Sequence, residues 1–546
     1  MTRVTSDLVT VSVPSTADGD ASGPAGSPSP CRPDAARPSL AARLCPPMPK
    51  DRFGLGWIAP LLVTGLAALL RFRHLGYPKA LVFDETYYAK DAWTLLHSGL
   101  EKSWPAGADA KVLQGHPVFD DKAEFVVHPP IGKWLIGLGE QVFGMNPFGW
   151  RFAVALLGTL SVLMLARTTR RMTRSTLLGC TAGLLLTLDG LHFVMSRTAL
   201  LDIILMFFVL AAFGCLVIDR DHTRAKLARL VEQRPPGPFP GPGPRLGFRP
   251  WRLAAGLCLG LAVGTKWNGL YFIVVFGVLT VAWDMRARRA LGVRRPGRAM
   301  LRRDALPAFC SVAVVAVVGY LASWTGWFAT SGGWDRQWAP ATGGGVVNSV
   351  TRALRGFAHY HSEILYFHTH LHAFHPYKSN PWSWLVIGRP VSYYYQTVGS
   401  THAFCGAKQC AQETLAIGTP VLWWAALLAL PYMLWRWIGH RDWRFGAAVC
   451  GIAAGYLPWF AFTDRTIFYF YSVAFLPFMV LGLTLTLGVL LGPDGATARR
   501  RAIGGSAAGL LVLLVALNFI YLLPVLRADT ISMAAWQARM WFPSWI

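Results

Sequence analysis

The sequence predicts an all-α membrane protein of about eleven transmembrane helices, with interfacial helices in two long external segments. Three observations lead there. Of 546 residues, 53% are hydrophobic, and they fall in runs close to the ~20 residues a spanning helix needs. Only 15% are charged, so charge is confined to the connections. Dense arginine clusters follow every second apolar run, which orients the chain by the positive-inside rule. In a soluble protein a net charge of +24 would point to nucleic acid. Placed between apolar runs it points to an anionic membrane surface, so membrane lipids are expected partners and nucleic acid is not.

Residues 1–50 are rich in Ser, Pro, Ala and Gly without hydrophobic period, the pattern of a disordered tail. They contain no apolar core of a cleaved signal peptide. Lys50 and Arg52 precede the first span, about 55–76, and put the N-terminus in the cytoplasm. The membrane domain then occupies 51–546, with a first external loop at about 77–147. The second span (about 148–166) returns to Arg167, Arg170, Arg171 and Arg174. Spans three and four (about 176–194 and 199–218) turn outside at Ser196-Arg197. A basic inner loop follows, whose Pro-Gly core at 235–242 cannot hold a helix and reads as a flexible linker. Spans five and six (about 252–265 and 268–283) turn at Lys266-Trp267-Asn268, where one long helix is the competing reading. Span seven (about 305–326) leads to a second external segment at about 327–416. Spans eight to ten (about 418–437, 445–462 and 467–491) turn outside at Asp464-Arg465, and span eleven (about 503–524) leaves the C-terminus outside. Within the external segments, Ile131 to Leu138 after Pro129-Pro130 and the stretch from Glu363 to His368 read as amphipathic helices at the interface.

Phe83-Asp84-Glu85-Thr86-Tyr87-Tyr88 stands just beyond the first span. A carboxylate at the bilayer centre costs ~2.5–3.5 kcal/mol on insertion scales, and this pair avoids most of that cost by lying outside. One reading is a solvated pair capping a following helix, Tyr87 to Leu96. The other is chemistry. Adjacent side chains project ~100° apart in a helix and to opposite faces in a strand, so the two do not flank one bond as a glycosidase acid–base pair must. A sugar already activated as a phosphate ester needs one base for the acceptor proton and cations for the departing phosphate, and the pair suits that demand better. The outer-side cations are Lys133, Arg151, Arg197, Lys266, Lys378, Arg389 and Arg465, each of which also reads as an interfacial anchor. Arg197 and Asp202 are placed to pair. His359, His361, His368, His370, His372 and His375 cluster in one segment, and His368-Thr369-His370-Leu371-His372 alternates as ligands on a strand would. Only Glu363 stands near them as an acidic partner, so no metal site is expected, and a divalent-cation requirement is left open. Cys405 and Cys410 read equally as a local disulfide or as two thiols.

Taken in order, these residues resemble the protein O-mannosyltransferase family, and its actinobacterial members closely. Phe83 to Tyr88 resembles the family's acidic motif in the first external loop. Val127-His128-Pro129-Pro130-Ile131-Gly132-Lys133 is similar to its HPP-x-x-K segment, and Ser196-Arg197 with Leu200-Leu201-Asp202 to its SR…LLD stretch. Gly264-Thr265-Lys266-Trp267, the run from His375 to Trp384, and Asp464-Arg465…Phe468-Tyr469 match later motifs. The resemblance implies a type-C glycosyltransferase fold and inverting transfer of mannose from polyprenyl-phosphate mannose to Ser or Thr of unfolded exported polypeptides, near the Sec translocon at the plasma membrane. It implies Asp84 as catalytic base and Glu85 beside it in the acceptor site. Arg151, Lys133, His128, Arg197, Lys266, Arg465 and Tyr469 become candidates for binding donor phosphate or substrate. The second external segment is too short for the β-trefoil domain of eukaryotic members, so acceptor recognition falls to the membrane-bound loops. Two other readings remain: a related enzyme acting on a lipid or cell-wall glycan, and a transporter or flippase, which would place facing polar residues at mid-membrane.

Overall fold

The computed structural model describes residues 39–48, 54–235, 237–340, 343, 345–399, 405–493 and 495–546. Among the described residues eight helices are long and apolar enough to cross a membrane: Leu55–Phe72, Pro147–Thr173, Leu201–Glu232, Gly269–Ala290, Pro296–Ser323, Pro420–Ile438, Trp443–Phe462 and Ala498–Leu526. Three shorter apolar helices, Thr176–Thr187, Pro250–Val263 and Leu476–Leu491, complete the series. All the apolar runs read from the sequence are therefore helical, in the expected order. The competing single helix around Lys266 is excluded, because Pro250–Val263 ends and Gly269–Ala290 begins on either side of a tight turn.

Local chemistry starts the second span. Pro147 occupies its first turn, and the Asn146 side chain accepts from the Phe148 and Gly149 amides at 3.0 and 3.1 Å, filling orphan donors of the helix start. Next to it lies the helix Ile131–Phe143, which packs against the helix Glu85–Ser98. Glycines set both distances. A Cβ at Gly137 would lie 2.9 Å from the Ala92 carbonyl oxygen, and one at Gly149 would run into the Gly144 carbonyl. The first external loop is thereby clamped to the end of the second span.

Three expectations need correction. The fold is not purely helical: β1 (Val391–Gly399) and β2 (Gln409–Ala416) form an antiparallel hairpin, and β3 (Ile531–Ser532) adds to β2. Val391-Ser392-Tyr393-Tyr394-Tyr395-Gln396-Thr397-Val398 is rich in the aromatic and β-branched residues that favour strands. Cys405 and Cys410 are joined as a disulfide, with Cα atoms 6.2 Å apart. Second, most of the expected disordered tail lies outside the described residues, but Leu40–Leu44 is a short helix whose Ala41 and Leu44 pack with Leu227, Ala228 and Leu291. Third, the described part of the Pro-Gly linker is tied down. The Phe239 amide donates to the Leu291 carbonyl at 3.2 Å, and Arg288 donates to the carbonyls of Pro242 (2.6 Å) and Pro244 (3.2 Å).

Gly149→Ala should lower the thermal midpoint of the detergent-solubilised protein, since an added methyl with no room costs ~1–3 kcal/mol. Gly65→Ala, which meets nothing within 4 Å, is the control expected to leave it unchanged.

Candidate active site

Asp84 and Glu85 are adjacent in sequence and opposite in environment. The cause lies one residue earlier. Phe83 has φ +50°, a left-handed conformation that strains a bulky residue by ~1–3 kcal/mol and persists only when its surroundings hold it. Its ring stacks on Tyr393 at 4.8 Å and meets Phe470, Phe468 and His375 edge-on at 5.6–5.9 Å. From there Glu85 turns inward and is fully buried. Its Oε1 accepts from Arg151 Nε (2.8 Å) and the Ala199 amide (2.9 Å); its Oε2 accepts from Arg151 Nη2 (2.8 Å) and the Val82 amide (3.0 Å). All its acceptor positions are taken.

Asp84 is half-buried and holds the N-cap position of the Glu85–Ser98 helix, but its side chain makes no capping hydrogen bond. The capping role weighed from sequence is therefore not what the side chain does. Among the described residues no group donates a hydrogen bond to its carboxylate. Burial raises its pKa, Lys266 pulls it down and Asp202 pushes it up, and the balance stands at about 6.

Four of the predicted binding residues lie in other structural roles. Arg151 spends its donors on Glu85 and on the carbonyls of Leu75, Pro78 and Ala80, at 3.3, 3.0 and 2.9 Å. Arg197 donates to the carbonyls of Arg71, Arg73 and His74 at 2.6–2.9 Å, satisfying the end of the first span, where helix carbonyls are orphaned and the dipole favours a cation. It is therefore not the partner of Asp202. That partner is Lys266, with Nζ 2.9 Å from both carboxylate oxygens. Lys133 is buried against Glu101 (2.6 Å) and Asp91 (3.8 Å). Tyr469 is buried, and its hydroxyl accepts from the Gly418 amide at 3.0 Å.

The other candidates meet in one cleft of about 210 Å³. Lys266, Arg465, His128 and His368 form its polar floor with Asn268 and Tyr471, while Leu270, Leu365, Trp459 and Phe462 supply apolar wall. Lys266 Nζ also sits 4.3 Å from the Tyr471 ring centre; Tyr88, one turn along the helix from Asp84, meets the His128 ring of the cleft at 6.1 Å, and Asp84 feels the charge of Lys266. His368 ties the floor together: Nε2 donates to the Val127 carbonyl (3.0 Å), and Nδ1 accepts from Arg465 Nη2 (3.0 Å). Burial and Arg465 lower its pKa to about 4, so the ring is neutral. It stacks on His128 at 5.3 Å. Arg465 Nε, His128 Nδ1 and Asn268 Oδ1 are buried with no hydrogen-bond partner among the described residues. Three such atoms line one cleft, which makes it the candidate site.

His368, Tyr471 and Asn268 were not singled out as binding residues. His368 was weighed as a metal ligand on a strand, but 346–370 is helical, and Leu365, His368 and Thr369 share the face that lines the cleft. The other histidines have separate partners: Asp335 for His359, Tyr320 for His361, and the Tyr366 and Asp464 carbonyls for His370 and His372. Among the described residues no three His, Cys, Asp or Glu side chains converge as metal ligands.

Removing one member of the Glu85–Arg151 pair strands the other. Glu85→Gln and Arg151→Met should each cost ~3–5 kcal/mol, read as loss of folded protein on size-exclusion chromatography and a lowered thermal midpoint. The double variant should recover part of the loss.

Two family models match the chain: dolichyl-phosphate-mannose-protein mannosyltransferase over residues 61–231, and the C-terminal four-transmembrane region of protein O-mannosyltransferase over residues 353–545. A polyprenol-phosphate-mannose–protein mannosyltransferase of Mycobacterium tuberculosis is 41% identical over 91% of this chain and 93% of its own length. The protein of the same name from Mycolicibacterium smegmatis is 40% identical over 91% and 94%, and that of Corynebacterium glutamicum 34% over 89% and 91%. One chain of a Saccharomyces cerevisiae protein O-mannosyltransferase complex, solved with its sugar donor bound, superposes with a TM-score of 0.68 at 13% identity, covering 93% of this chain and 94% of that one. At that identity the likeness speaks for the fold, a type-C membrane glycosyltransferase. With both halves matched by the family's models and curated relatives aligned along nearly the whole length, the chain belongs to the protein O-mannosyltransferase family.

Proposed function

We propose that this protein transfers mannose from a polyprenyl-phosphate mannose donor to Ser or Thr hydroxyls of exported polypeptides at the outer face of the plasma membrane, with inversion at the sugar. The observation that carries the proposal is the pairing of an unengaged carboxylate, Asp84, with a neighbouring cleft whose floor holds the unsatisfied Nε of Arg465. A lipid-linked sugar phosphate presents an anion next to an apolar chain, and the cleft offers cations next to Leu270, Leu365, Trp459 and Phe462.

The chemistry follows from that division. The phosphate rests against Arg465 and Lys266, with His128 at the unfilled contact. Asp84 takes the proton of the acceptor hydroxyl as its oxygen bonds to the anomeric carbon from the face opposite the phosphate. The anomeric carbon–oxygen bond breaks, and the lipid phosphate leaves carrying the electron pair, its charge held by the cationic floor. A phosphate is a good leaving group, so one carboxylate suffices. Glu85 and Arg151 hold the loop in place without touching substrate. The arginine clusters beside the spans support a cytoplasmic N-terminus and an external C-terminus. The acceptor is then met while still unfolded, on leaving the Sec translocon.

Asp84→Asn should lower kcat for an acceptor peptide by ~10²–10⁴ and leave the thermal midpoint nearly unchanged, because the carboxylate accepts no hydrogen bond to lose. Near wild-type rates would remove Asp84 from the mechanism. Burial raises the Asp84 pKa to about 6, and the base works only when ionised. The pH profile of kcat/KM should therefore be level above about pH 6 and fall tenfold per unit below it. Replacing Arg465 by Leu should weaken donor binding more than acceptor binding, read as a larger rise in donor KM.

A further inference from the structure

We infer that the free edge of strand β1 binds the acceptor polypeptide as an added antiparallel or parallel strand. The inference rests on the reading that the acceptor is a polypeptide. The sheet order β1-β2-β3 leaves β1 at the edge. Among the described residues no backbone group outside the sheet hydrogen-bonds to its main chain. Tyr395, Gln396, Thr397 and Gly399 are exposed. Proteins protect such edges with lysine, proline, inward charge or a covering element, because an open row of N–H and C=O groups recruits other strands. From Val391 to Gly399 this strand has neither charge nor proline, so apart from one bulge it carries none of the devices that repel a partner.

Position says which partner. The register shifts between Ser392 and Tyr394, leaving Tyr393 as the extra residue of a bulge, a device that re-aims a side chain. Tyr393 is buried and stacks on Phe83 at 4.8 Å, the residue next to Asp84. The buried end of β1 therefore lies near the carboxylate, and the exposed part of its edge follows from Tyr395 to Gly399. A chain laid along it would bring successive residues to Asp84.

The edge is also preformed. The Cys405–Cys410 disulfide fastens the outer end of β2. On the far side the Ala528 amide donates to the Glu413 carbonyl at 3.0 Å, and Trp536 Nε1 donates to the Glu413 carboxylate at 2.6 Å. Recognition through main-chain hydrogen bonds is tolerant of side-chain identity, as suits an enzyme presented with threonines in many contexts.

The test uses the full-length protein in detergent, polyprenyl-phosphate mannose, and threonine peptides N-methylated at one position each. Backbone N–H groups of a paired strand face the partner at every second residue. Methylation at alternate positions on one side of the threonine should raise peptide KM about tenfold, the loss of one good hydrogen bond, with the intervening positions tolerant and kcat little changed. A photo-crosslinking residue in place of Gln396 should capture the unmethylated peptide. If that peptide is not mannosylated, the functional reading fails. If it is mannosylated but methylation shows no two-residue period, or position 396 crosslinks to a second copy of the chain instead, the docking edge is overturned.

Discussion

The Glu85–Arg151 ion pair is the constraint on which the rest of the site depends. It joins three pieces of chain that sequence keeps far apart: the first external loop, the second span, and the turn at Ala199 before the fourth. A buried pair of this kind adds little net stability over apolar residues of the same volume, because both charges lose their hydration. What it supplies here is position. With Glu85 drawn inward and Phe83 held in a left-handed turn by four aromatic neighbours, the carboxylate between them is left with no partner of its own.

That division runs through the residues around the site. Charges in low-dielectric surroundings are costly unless paired, and most are paired. Arg151 is with Glu85, Lys133 with Glu101, Lys266 with Asp202, and Arg197 with the carbonyls ending the first span. Among the buried polar atoms without a partner are Arg465 Nε, His128 Nδ1 and Asn268 Oδ1, and Asp84 accepts no side-chain hydrogen bond among the described residues. They gather around the cleft, beside apolar walls suited to a lipid chain. The site is thus defined by what the fold leaves unsatisfied: one proton acceptor next to one cationic floor.

The membrane architecture was legible in the sequence because apolar runs of spanning length and the arginine clusters between them are one-dimensional signals. Asp84, His128, Lys266 and Arg465 were legible as candidates through their motifs. Their division of labour was not. Whether Arg151 or Arg465 is free to meet a phosphate depends on which carbonyls and carboxylates lie within 3 Å of each, and spacing along the chain does not carry that. Tyr469 stands in the family motif, whereas Tyr471, two residues along the same short helix, is the tyrosine that lines the cleft. The β1–β2 hairpin is local and Val391 to Val398 carries strand residues, whereas the third strand, β3, is more than a hundred residues from its partner β2, a pairing that spacing along the chain does not carry.

A cryo-electron microscopy structure with polyprenyl-phosphate mannose bound tests the account most directly. It should show the phosphate within hydrogen-bond distance of Arg465 Nε, the anomeric carbon turned toward Asp84, and the Glu85–Arg151 pair intact. A phosphate seated on Arg151, with Glu85 released toward the sugar, would contradict it.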